Sequence, residues 1–153
     1  MKINVEEVKQ FISNQSKETK IYFGADSERI RLPDGKWIVD YLLVIVIHYE
    51  GKHGAKIFGE IQREQDYDKS PDRPKMRLMT EVMKIAELYL KFADILEDKH
   101  VEIHLDLNPI EVYASSCVIN EAIGYIRGVC GIQPRTKPEA WCASIAADRL
   151  KEL

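Results

Sequence analysis

Paired cysteines, a membrane-length apolar run and a dominant charge are all missing from this chain. Its three cysteines, Cys117, Cys130 and Cys142, are odd in number and lack the close spacing of a zinc site, so they read as reduced and structural. The longest apolar run, residues 41–47, is far short of the ~20 residues that span a bilayer and fits a buried strand. No signal peptide is visible near Met1, so the expected location is the cytoplasm. No Walker-type glycine loop is present, which removes support for P-loop nucleotide hydrolysis. The net charge of −3 gives no support to a large non-specific nucleic-acid surface. It does not exclude a local one, because clustered acids lower the total while basic residues elsewhere contact phosphate. The 45% apolar content excludes disorder, and 153 residues suffice for one substantial core.

The order of elements follows from patterning. Residues 4–16 carry an amphipathic helical pattern: Asn4 can cap, Glu6 and Glu7 suit the helix start, and Val5, Val8, Phe11 and Ile12 form a stripe. A strand follows and ends at Asp26. Pro33-Asp34-Gly35 signals a turn into a strand over 36–49, apolar on both faces and therefore central. A further turn at 50–54 leads to a strand over 55–62, completing an antiparallel meander. Residues 63–74, with Pro71 and Pro74, read as a loop before a helix over about 75–98. Then come a strand over 101–106, expected to return parallel to an earlier one, and a helix over about 113–127 ending near Gly128. A short extended piece over 131–136 precedes a last helix with Pro138 in its first turn. No internal repeat or linker divides the chain, so 1–153 is expected to form one domain, with 1–18 as an N-terminal helical extension.

Acids fall at telling places in this order. Asp26 and Asp106 close two short apolar strands, and if those strands are parallel neighbours the two meet where ligands bind in open α/β sheets. The alternative is that each merely begins a loop. Glu81 lies about 60° from Leu78 and about 40° from Ile85 around its helix, at the border of the buried stripe. From position alone it points either along the sheet edge or into solvent. Asp148 shares a face with Trp141, Ser144 and Ile145 at i, i+3, i+4, i+7 spacing. Carboxylates are costly to bury unless paired, hydrogen-bonded or metal-bound, so acids at these places suggest a divalent-cation site.

Gly24-Ala25-Asp26-Ser27, His104-Leu105-Asp106-Leu107-Asn108, Gly124-Tyr125-Ile126-Arg127-Gly128 and Lys137-Pro138-Glu139-Ala140-Trp141 through Ala147-Asp148 together resemble the ribonuclease H-like superfamily, and within it the YkuK-type family. The resemblance implies an α/β fold: a five-stranded mixed sheet, three antiparallel strands then two parallel additions, flanked by helices. It also implies a metal-dependent nuclease-like site, with Asp26 from the first strand, Asp106 from the fourth, Asp148 from the last helix and a glutamate from the long helix. Within Met76-Arg77-Leu78-Met79, Arg77 stands where the superfamily's helix glutamate would be. Glu81, one turn later, resembles the helix acid of the YkuK-type family.

The chemistry implied is phosphodiester hydrolysis of RNA, DNA or a hybrid, with two Mg²⁺ or Mn²⁺ ions held by Asp26, Glu81, Asp106 and Asp148. Ser27 and Asn108 are candidates for contacting phosphate or orienting substrate, or are ordinary cap and turn residues. Arg31, Arg77, Arg135 and Lys137 are candidate phosphate contacts, and Arg135-Thr136-Lys137 leads directly into the helix of Asp148. His104 is either a ligand or base, or a satisfied strand histidine; Trp141 either stacks a base or lies in the core. The competing function is a non-catalytic module that binds nucleic acid or protein on the same fold.

Overall fold

Helix α1 (Val5–Ser13) starts where the Asn4 side chain accepts the Glu7 N–H at 3.1 Å, with Glu6 and Glu7 in its first turn. Its buried residues, Val8 and Ile12, join the main core. The computed structural model describes residues 2–49, 54–67, 75–108, 118–142 and 144. Strands β1 (Lys20–Arg31), β2 (Trp37–His48) and β3 (Ala55–Gln65) form the meander. Gly35 permits the β1–β2 turn by adopting φ 87°, and Leu32 and Lys36 close it with a 2.8 Å backbone bond. Helix α2 (Lys75–Phe92) and a 3₁₀ turn (Ala93–Ile95) precede β4 (His100–Leu105), and α3 (Ile119–Cys130) follows.

The described residues form a four-stranded mixed sheet in the order β3-β2-β1-β4, antiparallel except for the parallel β1–β4 pair, with helices packed on it. Among the described residues the expected fifth strand is not seen. In its place Arg135 makes a one-residue parallel bridge to His104, with backbone bonds from Leu105 N–H to Arg135 O and from Arg135 N–H to Ile103 O, both 2.8 Å. Two residues on, the Lys137 N–H bonds Leu107 O at 3.0 Å, beyond the end of β4, so the contact stays a single bridge and does not grow into a ladder.

Other boundaries also move. β1 runs on to Arg31 instead of stopping at Asp26, because β2 pairs with it as far as Arg31↔Trp37. Long helix α2 gives way to the 3₁₀ turn after Phe92. α3 passes through Gly128 and stops at Gly131, whose φ of 73° suits a helix terminus, with its N–H bonded to Arg127 O. Pro138 lies in a turn, after a cis bond to Lys137, and among the described residues that follow it helix is seen at Cys142 and Ser144. The expectations for residues 50–53, Pro71, Pro74, residues 113–117 with Cys117, and Asp148 lie outside the described residues.

The alternation of β1 sorts its side chains between two cores. Ile21, Phe23 and Ala25 join Leu43, Ile45, Ile47, Ile103 and Leu105 beneath Leu78, Val82, Ile85 and Phe92 of α2. On the other face Tyr22 packs with Val44, Val46 and Cys142, with Trp141 against them. Each large apolar side chain buried this way contributes about 1.5–3 kcal/mol. These two layers therefore fix the sheet against α2 on one side and against the segment leading to Asp148 on the other. No helix among the described residues is long and apolar enough to cross a membrane.

Candidate functional site

Parallel pairing of β1 with β4 ends at Ala25↔Leu105, so Asp26 and Asp106 are the residues that immediately follow the last pair, Asp26 still in β1 and Asp106 just past β4. Both are partly exposed. Asp26 belongs to the alternation of Tyr22 and Gly24, and its Oδ1 accepts the Ser27 N–H at 2.9 Å. Ser27 belongs to the opposite alternation and faces α2. The two acids therefore sit at the rim where the faces of the sheet meet.

Glu81 arrives at that rim from α2. It is buried, only 5% exposed, and the Ser27 hydroxyl donates to its Oε2. Arg77, one turn earlier on α2, donates from Nη1 to Ser27 Oγ at 2.8 Å and lies 3.4 Å from Ser27 O. A hydroxyl has one hydrogen and two lone pairs. With Arg77 on a lone pair and the hydrogen on Glu81, Ser27 has a fixed orientation as the link between cation and acid. Arg77 and Glu81, one helical turn apart, thus act on the same strand residue.

Burial pushes the Glu81 carboxyl up to about 8. The Ser27 hydrogen bond opposes this, the charges of Asp26 and Asp106 add to it, and Arg77 opposes it again. The charges of two aspartates reaching one buried glutamate place all three acids in one electrostatic neighbourhood. At pH 7 without a cation, Glu81 holds its proton.

A lysine answers the aspartate that follows β4. Lys137 Nζ lies 2.8 Å from Asp106 Oδ1, and the Lys137 N–H donates to Leu107 O at 3.0 Å. Arg135 is directed elsewhere: its Nε lies 2.9 Å from Glu102 Oε1. Asn108 is half-buried two residues beyond Asp106. Asp148 lies outside the described residues, while the segment leading to it packs on the Asp26 side of the sheet.

His104 proves to be a satisfied strand histidine. Its Nδ1 accepts the Trp141 and Cys142 N–H groups at 3.2 and 3.3 Å, so the proton of the neutral ring sits on Nε2, 3.0 Å from Glu102 Oε1. Burial holds its pKa below the ordinary value, against the opposing pull of Glu102. Trp141 packs with its ring centre 4.6 Å from that of Tyr22 and 5.2 Å from that of His104, partly buried against the smaller core. The sequence reading missed the Glu102–His104–Arg135 network. Its one sequence signal was Glu102 and His104 sharing a strand face.

The oxygen donors of Asp26, Asp106 and Glu81 are of the kind that suits a hard divalent cation, which Glu81 would ligate only after losing its proton. Among the described residues no three His, Cys, Asp or Glu side chains are already gathered closely enough to hold a metal.

A family model described as Ribonuclease H-like matches residues 4–152. The four-stranded mixed sheet flanked by helices is consistent with that fold. The chain belongs to this family, the YkuK-type ribonuclease H-like family. No curated protein and no solved structure matches the chain.

Proposed function

We propose that this chain is a divalent-cation-dependent nuclease that hydrolyses nucleic-acid phosphodiester bonds. The observation that carries this reading is the meeting of Asp26 and Asp106 at the end of the parallel β1–β4 ladder, with their charges reaching buried Glu81. Asp26, Glu81, Asp106 and Asp148 would hold Mg²⁺ or Mn²⁺. Bound there, the cations would supply activation of water and neutralisation of the leaving oxygen. Glu81 would have to give up its proton to ligate a cation, and Ser27, itself held by Arg77, fixes the position of its carboxyl group. With a cation on Asp106, Lys137 would be released from the aspartate to meet a substrate phosphate. Asn108 and Arg135 flank the β4 end, where a substrate backbone would pass.

One observation favours a second reading, a non-catalytic binding module. Lys137 occupies Asp106, and no group of three metal-ligating side chains stands ready among the described residues. Cleavage of labelled single-stranded, duplex and RNA–DNA hybrid substrates in Mg²⁺ or Mn²⁺, by wild type and Asp26→Asn, separates the two. Hydrolysis by wild type alone supports the nuclease. Binding without turnover by two folded proteins supports the module.

A further inference from the structure

The β1–β2–β3 ribbon projects beyond the core. Past Ala25, β1 has no β4 neighbour among the described residues, yet it stays paired with β2 for six more residues, 26–31. Burial falls away along this stretch, and Arg31 and Trp37 at its end are both exposed. An indole left 40% exposed at the tip of an ordered hairpin adds little to the core.

What surrounds Trp37 is specific. It lies opposite Arg31 in the antiparallel register, and the Arg29 guanidinium sits 4.3 Å from the centre of its ring, with that of Arg31 at 5.9 Å. The ring lines an open cavity of about 530 Å³ together with Arg29, Lys36, Arg63, Gln65 and the acids Glu64 and Asp66. That volume falls within the ~300–1,000 Å³ of small-molecule sites. Asp66 pairs with Arg29 and Asp40 with Arg63, which holds those two guanidiniums in place. Arg31 and Lys36 are the exposed cations beside the ring.

This tip is continuous with the carboxylate site. Ser27, Arg29 and Arg31 occupy alternate positions of one strand and so share one sheet face, the face on which Ser27 meets Glu81 and Arg77. From Ser27 to Arg31 is four residues, about 13 Å of strand.

We infer that the hairpin tip is a binding subsite for single-stranded nucleic acid, with a base stacked on Trp37 and the flanking phosphates met by Arg31 and Lys36. Aromatic faces bind bases of any sequence, and adjacent cations follow the backbone. Duplex bases are already stacked on one another, so the exposed ring selects single strands. The inference deepens the nuclease reading and rests on it for the nature of the ligand.

The test is fluorescence anisotropy with a labelled 12-nucleotide single strand, in EDTA so that nothing is cleaved. Wild type, Trp37→Ala, Trp37→Phe and Arg31→Glu are compared, each checked for folding by circular dichroism. Trp37→Ala should weaken binding by roughly 5- to 150-fold, and Trp37→Phe should retain most of it. Arg31→Glu should weaken binding and make it less sensitive to salt. Unchanged affinity in Trp37→Ala and Arg31→Glu, no binding by wild type, or preference for a blunt duplex would each overturn the subsite. Cleavage in Mn²⁺ is measured in parallel. Cleavage with unaltered binding in the variants sinks the subsite and leaves the nuclease; weakened binding in the variants with no cleavage by wild type does the reverse.

Discussion

Lys137 places its ammonium 2.8 Å from the carboxylate of Asp106, so the aspartate at the end of β4 is held by a cation of the protein's own. The lysine side chain is 43% exposed, and such pairs contribute only about 0.2–1 kcal/mol. A divalent cation would therefore displace it at little cost. Lys137→Met should change stability by less than about 1 kcal/mol in urea denaturation and tighten Mn²⁺ binding measured by titration calorimetry. Weaker Mn²⁺ binding would show that the lysine assists the cation rather than competing with it.

Ser27 links two elements through one hydroxyl. Ser27→Ala leaves Glu81 without that donor and Arg77 without that acceptor, and should cost about 1–3 kcal/mol. Ser27→Thr keeps the hydroxyl and should recover much of the loss. Equilibrium denaturation of the two variants checks both expectations.

The raised pKa of Glu81 gives stability a definite slope with pH. Between its ordinary 4.5 and about 8 the folded protein holds a proton that the unfolded chain releases. This contribution is fully present below pH 4.5 and is lost as pH rises through about 8. Glu81→Gln should flatten that part of the profile, as read by denaturation at intervals from pH 5 to 9 in EDTA. Because a ligated glutamate must lose its proton, Mn²⁺ affinity should also climb with pH towards 8.

His104 works in the opposite sense. Its folded pKa lies below the ordinary 6.5, so the unfolded chain binds the proton first as pH falls. Its contribution is present above pH 6.5 and is lost as pH drops through the folded value. A protonated Nδ1 cannot accept the Trp141 and Cys142 N–H groups. His104→Ala should destabilise by about 1–3 kcal/mol at pH 7.5 and lose most of the acid-side slope in denaturation experiments. An unchanged slope would place the responsible proton elsewhere.

What could be read from the sequence was whatever depends on local periodicity. The stripe Leu78, Val82, Ile85 correctly set the buried face of α2, and with it placed Glu81 at the border that turns out to be buried. The apolar run of β2 correctly announced a central strand. The length of β1 was misread because Ser27-Glu28-Arg29-Ile30-Arg31 is polar. Its strand character comes from pairing with β2, which one strand's sequence does not carry. The link from Arg77 through Ser27 to Glu81 joins positions 50 and 54 residues apart, where no spacing rule reaches. The extended piece at 131–136 looked like a strand by composition, but it touches β4 through the single bridge of Arg135 to His104.

Hydrogen-bonded to β2 along its whole length, β1 behaves as a rigid ruler. Asp26 and Arg31 are marks on the same twelve-residue scale, five divisions apart, and no hinge lies between them. A chain anchored at the tip would meet the acids at a distance set by backbone geometry, about 17 Å, rather than by its own sequence. Any cut would then fall at a constant offset from the anchored nucleotide. Lengthening both strands of the hairpin by two residues would move that offset outward by a fixed step.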